Sequence, residues 1–453
     1  MANSHSNLCF RKIEAWGIVA VLAVSVAVFS PVLNNDFLTH WDDQWMILEN
    51  PYLEEVSTST VAAAFTESYG QQYSPLNTMT YMGITQAFGM QAPAFQAFGL
   101  LLHLFNVLLV GLVIRKLLTL ISGAGLSQRG QIVTAWGVAM LFAIHPLQVE
   151  AVAWISASKV LLYSFFYLAG MWCYMTYKQS GKWWQLGLVL LCFIASLLSK
   201  EQAVVFLLTL IAIDWVVEPR IAVKNLWLEK IPFFVVAVGF GVFTLAIQTG
   251  GVSGVLAAEG TYPLWQRLVF FAYSLWEYLL KLVVPYGLSH FYFFPMDVGE
   301  ALPTHFWIYP VALALLGWLL YEYRQHITPV YLFGGVFFLI NLILVLHVLP
   351  APSEAITADR YIYLSSIGGF LVAVYTCVRW LSNCDRWKQY ITGTTVILAL
   401  LVLMGISHER TKDWQDMATL NEGLREVVES HMGEFTMEED GAILLHNSDE
   451  LCE

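Results

Sequence analysis

Long apolar runs, separated by short clusters of charged, turn-forming and proline residues, recur along almost the whole chain. They fall near residues 14–33, 93–114, 131–145, 159–177, 183–199, 202–217, 231–249, 306–322, 330–349, 361–381 and 390–408. A bilayer core takes about 20 apolar residues of helix. The pattern therefore predicts an all-α polytopic membrane protein with about eleven spans. The first run follows Arg11 and Lys12, lacks a clean small-x-small cleavage site, and reads as a retained anchor. One further run, 267–285, is placed along the outer membrane surface or as a re-entrant segment. If it crossed alone, every later loop would change sides. Pro285, Tyr286 and Gly287 end it with turn chemistry.

The one long polar connection, residues 34–92, is not featureless. Ser57 is placed to cap a short helix through Phe65. Ser74 followed by Pro75 reads as an N-cap and first helical position for a helix to Phe88.

Composition sharpens this picture. Hydrophobic residues make up 58% of the 453 residues, charged residues 12%, and the mean hydropathy is +0.62. The charged share is half the soluble norm of about 25%. The net charge of −12 is concentrated at one end. From Glu409 onward stand 13 acids and 3 bases, a net of −10, which reads as a mostly flexible acidic tail, 409–453. The remainder, 1–408, is nearly neutral and has no basic face for nucleic acid. Cys173, Cys192 and Cys377 lie inside apolar runs, and no Cys/His cluster has zinc spacing.

Lys and Arg set the orientation. Fourteen bases, from Arg11 to Lys388, fall on one set of connections, which is assigned to the cytoplasm. The other face keeps only Lys159, Lys200, Arg267, Lys281 and Arg360. The 34–92 loop and the acidic tail then lie outside.

Four patches on that outer face carry candidate chemistry. Asp42 and Asp43, behind His40 and Trp41, suit a general base or a cation site; a solvated, helix-capping acidic loop is the plain alternative, since adjacent acids are common in loops. His145, Glu150 and Trp154 form the second patch, ahead of Lys159. Lys200, Glu201 and Gln202 form the third, wedged between two apolar runs, where a snorkelling Lys beside a Glu is the plain alternative. The fourth is Asp359, Arg360, Tyr361 and Tyr363. Arg360 is suited to a phosphate, or simply to pairing with Asp359. Cations at helix mouths and acids in the first loop fit a site that holds a lipid phosphate while a carboxylate moves a proton. No repeated halves suggest a transporter.

The ordered set of motifs is more specific than any one of them. It comprises Asp42-Asp43 with Asn50-Pro51, Tyr73-Ser74-Pro75-Leu76, His103 with Asn106, the run His145 to Trp154, Ser199-Lys200-Glu201-Gln202, Asp359 to Leu364, and Glu409-Arg410-Thr411 with Trp414. In this order they resemble the membrane module of the TMTC proteins, transmembrane O-mannosyltransferases that target cadherins, and their bacterial relatives among the GT-C glycosyltransferases. The likeness covers about residues 35–420. It implies a GT-C-type bundle, a polyprenyl-phosphate-linked sugar donor, and inverting transfer to a hydroxyl of a protein or glycan acceptor. It also implies an active site facing the periplasm from a bacterial inner membrane. Asp42 maps to the catalytic acid of the first outer loop, with Asp43 as its neighbour. Two departures stand out. Lys159 is followed by Val160 where many relatives carry an acid, and no TPR array follows Trp414.

Joined together, these readings make Asp42 the general base. The donor phosphate is assigned to Lys200 and Arg360, with Lys159 and Arg267 as further candidates. His145, Glu150, Trp154, Glu201, Gln202, Tyr361, Tyr363 and Tyr73 take supporting roles. A divalent cation, Mg or Mn, at Asp42, Asp43 and Glu150 is conceivable on ligand type, but three acids from two loops do not establish one. The alternative function is a lipid-linked-saccharide flippase. A non-catalytic scaffold is the third reading.

Overall fold

The computed structural model describes residues 2–70, 72–218, 223–248, 262–348, 355–432, 436–437 and 443–444. Apart from two paired two-residue strands, Thr436–Met437 and Ile443–Leu444, its regular structure is helical.

Helix α1, Ala2–Phe29, runs into a 3-10 turn at Ser30–Asn34. The long polar connection folds as expected. Within it lie α2, Pro51–Glu54, and α3, Thr58–Thr66, which Ser57 and Thr60 start with a reciprocal capping box. Helix α4, Pro75–Phe88, opens on proline at its first position. Helix α5, Ala92–Leu120, then crosses the core beside α6, Gln128–Ile144.

Pro146 lacks an N–H and drives the preceding residue out of the helical region. His145 accordingly sits at ψ 137°, and the chain bends by 60° into Val149–Ala153, α7. Helices α8, Ser158–Ser180, and α9, Trp183–Ser199, form a hairpin whose turn uses Gly181 at φ +67°. Lys200 is extended and separates α9 from a 3-10 turn, Glu201–Val205, and α10, Phe206–Val217. Next come α11, Val223–Gln248; α12, Leu264–Val283; α13, Ile308–Glu322; α14, Pro329–Leu342; α15, Ser366–Ser382; α16, Arg386–Arg410; and α17, Met417–Met432.

Among the described residues four stretches are long and apolar enough to cross a membrane: Glu14–Asn34, Ala92–Leu120, Thr304–Glu322 and Arg386–Trp414. The bent pair of α6 and α7 makes a fifth. The eleven spans predicted from hydropathy are therefore not supported. Trp183–Ser199 and Ser366–Ser382 have 17 residues each. At 1.5 Å per residue each covers about 26 Å, short of a hydrocarbon core of about 30 Å. Breaks at Lys200 and Pro146 shorten others.

The region 267–285 is the single helix α12. It buries Val269, Phe270, Leu275 and Tyr278 and leaves Leu264, Trp265 and Leu268 exposed. The start of the tail also departs from expectation. Helix α17 runs from Met417 to Met432 within it, and Leu420 and Leu424 are buried in the main core with Trp414.

Candidate active site

Asp42 and Asp43 are neighbours with different surroundings. The chain turns at His40, which adopts φ +66°, and then enters the short helix Gln44–Leu48. Asp43 is fully buried. Its Oδ2 accepts from the Leu38 amide at 3.0 Å, and its Oδ1 accepts from the Ser156 amide at 3.0 Å and from the Ser156 hydroxyl. Burial pushes its carboxyl up to about 6; the three donors resist that rise and the charge of Asp42 adds to it. Asp42 is half-buried. Its Oδ1 accepts from Trp45 Nε1 at 3.2 Å, and its Oδ2 has no protein partner among the described residues. Asp43 therefore ties the first loop to the turn before α8, and Asp42 keeps an oxygen for chemistry.

The bend at Pro146 brings Glu150 under the segment that precedes α15. Glu150 Oε2 accepts from the Arg360 amide at 2.8 Å, and Oε1 pairs with the Arg360 guanidinium. Burial works against the Arg360 charge, but attraction to Glu150, Tyr361 and Asp42 and the Glu150 hydrogen bond together outweigh it and keep the guanidinium protonated. Asp359 is not its partner. That carboxylate pairs with Arg410 at 2.7 Å and accepts from the Tyr292 hydroxyl at 3.0 Å.

The Arg360 guanidinium lies 5.1 Å from the Trp154 ring centre and 5.0 Å from that of Tyr361. Trp154 stacks at 5.8 Å on Trp414, and Trp41 meets both edge-on. Arg410, Trp41 and Trp414 were absent from the residues given roles above. All three stood in or beside motifs, but nothing in the sequence announced that Trp41 meets Trp414 or that Arg410 reaches Asp359.

Lys159 and Lys200 are both buried. Lys159 Nζ donates to Gln72 Oε1 at 2.8 Å and lies 3.8 Å from Met46 Sδ. Lys200 Nζ has no hydrogen-bond or ion-pair partner among the described residues. The charges of Lys200, Asp42, Glu201 and Arg360 all act on Lys159, so these five groups share one locality. Glu201 feels both lysines yet forms no ion pair with either. Gln202 sits half-buried in the same 3-10 turn. Two ammonium groups in one locality, neither in contact with Glu201 or Asp42, leave positive charge that an anion could neutralise.

Four predicted residues stand apart in their contacts. Arg267 donates to the Val348 carbonyl at 3.1 Å, and its neighbours on α12 pack in a separate aromatic cluster. Tyr73 donates to the Phe65 carbonyl at 2.9 Å and meets Phe243 edge-on. The Tyr363 hydroxyl is taken up by His103 at 2.9 Å and Asn106 at 3.2 Å on α5. His145 Nδ1 accepts from the Leu147 amide at 3.3 Å and serves the bend.

Among the described residues no group of three or more His, Cys, Asp or Glu side chains converges on a metal position. The set considered above fits a cation poorly, because Asp43 and Glu150 already spend their oxygens on protein donors. The chain matches no protein-family model, and no curated protein matches it.

Proposed function

We propose that this chain is a TMTC-like GT-C glycosyltransferase with its active site on the outer face of a bacterial inner membrane. It moves a sugar from a polyprenyl-phosphate donor to the hydroxyl of a protein or glycan acceptor. The observation that carries the reading is Lys200, whose ammonium has no hydrogen-bond or ion-pair partner among the described residues, in the same charge cluster as the half-buried Asp42.

In this mechanism the donor phosphate lies against Lys200 and Lys159. Asp42 takes the proton from the acceptor hydroxyl as its oxygen attacks the anomeric carbon. The bond from that carbon to the phosphate oxygen breaks with inversion, and its electron pair leaves with the phosphate. The two ammonium groups stabilise the departing anion, so no general acid is required. Arg360, already held by Glu150, frames the site beside Trp154 and becomes a phosphate ligand only if Glu150 yields it. A flippase would share the cationic site but needs no base.

The test is mass spectrometry of lipids and glycans from cells with and without the gene. Loss of one glycoform together with accumulation of its lipid-phosphate sugar is expected. Loss of the glycoform with its lipid sugar trapped on the inner leaflet, rather than accumulating on the outer one, would favour the flippase.

A further inference from the structure

A hollow at the end of α16 plays no part in the chemistry proposed above. It measures about 530 Å³ and lies wide open to its surroundings. Pro285 and Leu288, which follow α12, line it together with Gly405, Ile406, Glu409 and Asp413 on α16 and the turn after it. A water takes about 30 Å³ of liquid, so there is room for a head group of roughly ten non-hydrogen atoms.

The helix that leads to the hollow suits an elongated amphiphile. The stretch Arg386–Trp414 is long and apolar enough to cross a membrane, and only 6% of its apolar window is buried. Leu398, Leu401, Val402, Gly405, Ile406 and Glu409 follow the spacing of one helix face. The four large apolar residues among them are exposed, so the rest of the chain does not cover this face. Gly405 has open space where a Cβ would stand. Glycine is a poor residue in a helix interior, and here its missing side chain deepens the hollow instead of admitting a neighbouring helix.

Beyond the hydrocarbon stripe the uncommitted charge is negative. Arg410 also lines the hollow, but its guanidinium is spent on Asp359 at 2.7 Å and on the Ser289 and Pro146 carbonyls at 3.2 and 3.3 Å. The half-buried Asp413 carboxylate makes no hydrogen bond or ion pair among the described residues. Glu409 pairs with Lys412 at 2.8 Å, an exposed contact of the kind that contributes little. The rim therefore offers a carboxylate to an ammonium and, beside it, a lysine to a phosphate. A phosphate without an ammonium meets two carboxylates.

We propose that this hollow binds a membrane phospholipid whose head carries a primary ammonium next to its phosphate, with the ammonium donating to Asp413 and one acyl chain lying along the stripe from Ile406 to Leu398. A choline head has no N–H to donate, and a glycerol head has no positive charge. Neither Lys200 nor Asp42 takes part, so this lipid is held whether or not the chain transfers sugar.

The test is native mass spectrometry of the full chain, stripped of co-purified lipid in detergent. It is titrated with phosphatidylethanolamine, phosphatidylcholine, phosphatidylglycerol or a polyprenyl phosphate. One phosphatidylethanolamine is expected to bind about tenfold more tightly than either other phospholipid, the scale of one hydrogen bond to a charged group. Asp413→Asn should bring it to within about twofold of phosphatidylcholine. Gly405→Phe fills the hollow from a position with open space around its Cβ and should abolish the preference. Unchanged melting temperatures show that the variants are folded; should Gly405→Phe not fold, Asp413→Asn decides alone. Equal affinity for the three phospholipids, a preference for phosphatidylglycerol or polyprenyl phosphate at this site, or a preference that survives either substitution in a folded chain overturns the proposal.

Discussion

Glu150 holds Arg360 twice, accepting from its backbone amide at 2.8 Å and pairing with its guanidinium. The two residues lie 210 positions apart in sequence, so this contact fixes the start of α15 against the bend after α6. It also separates two cations that a list of bases would treat alike. Lys200→Ala removes an ammonium that makes no hydrogen bond or ion pair among the described residues, so folding should be little harmed while donor binding falls by about 2–5 kcal/mol. Arg360→Ala leaves Glu150 buried and unpaired, and should cost about 3–5 kcal/mol of stability. Thermal unfolding and polyprenyl-phosphate titration of both variants check this. Equal stability losses would mean that Lys200 is not the free cation.

The glycine at the crossing of α14 and α15 gives a sharp packing test. A Cβ on Gly368 would sit 2.3 Å from the Gly334 carbonyl oxygen and 2.8 Å from the Phe338 amide nitrogen. Both are backbone atoms in helices, so neither gives way easily. Gly368→Ala should destabilise the chain by about 1–3 kcal/mol. Gly335→Ala meets nothing within 4 Å and should be neutral, or stabilising by up to about 1 kcal/mol through helix propensity. Matching melting temperatures for the two variants would contradict the crossing.

How much of this was legible in the sequence depends on the range of the interaction. Ser57 and the Ser74-Pro75 pair act within a few residues, and both helices start where expected, Ser57 through a side-chain cap and the second through Pro75 at its first position, with no hydrogen bond from the Ser74 side chain. The charge patches were readable because ionisable groups beside apolar runs are expensive. Their partners were not. Arg360 chose Glu150 over its chain neighbour Asp359, because a carboxylate at i−1 is poorly aimed for a fork while Glu150 arrives from another element. The span count failed for a related reason. Hydropathy measures burial, and a core helix such as Phe206–Val217 is as apolar as a crossing one but only 12 residues long. The tail misled by its charge. Three of its acids, Glu422, Glu426 and Glu429, fall on α17, while Leu420 and Leu424, four apart, supply the face that docks.

That docking can be tested by truncation. Ending the chain after Asn421 removes Leu424 and the Gly423 backbone that packs on His290. It should lower the melting temperature relative to a chain ended after Met432, because a buried leucine contributes about 1.5–3 kcal/mol. Identical melting curves would show that α17 contributes no packing.

Asp43 predicts a pH dependence with a defined sign. Its carboxyl is raised from 3.8 unfolded to about 6 folded, so between these values the folded chain binds a proton that the unfolded chain has lost. The stabilisation is fully present below about pH 4 and declines as pH rises through about 6, by roughly 3 kcal/mol at most. Asp43→Asn resembles the neutral acid and cannot titrate. The stability of the unaltered chain, measured against this variant, should therefore fall from pH 4 to pH 6 and level off above. Parallel curves would mean that the Ser156 and Leu38 donors hold the carboxylate ionised throughout.

The division of labour between the two adjacent acids bears most directly on mechanism. Asp43 has three donors on its two oxygens, whereas Asp42 has one, from Trp45, and keeps Oδ2 open. Proton abstraction needs an oxygen that the acceptor hydroxyl can reach, and only Asp42 offers one. Asp42→Asn preserves shape and the Trp45 hydrogen bond but cannot take a proton. Turnover should fall by about 10²–10⁴-fold with donor affinity little changed. Asp43→Asn places an amide N–H against either the Leu38 or the Ser156 donors, and so should act through stability and loop position. Its turnover per folded molecule should drop far less. Single-turnover assays with a polyprenyl-phosphate sugar, normalised to folded protein, separate the two. Near-normal transfer by the Asp42 variant would refute the base assignment, and a collapse confined to the Asp43 variant would show that the buried acid is released from Ser156 during the reaction.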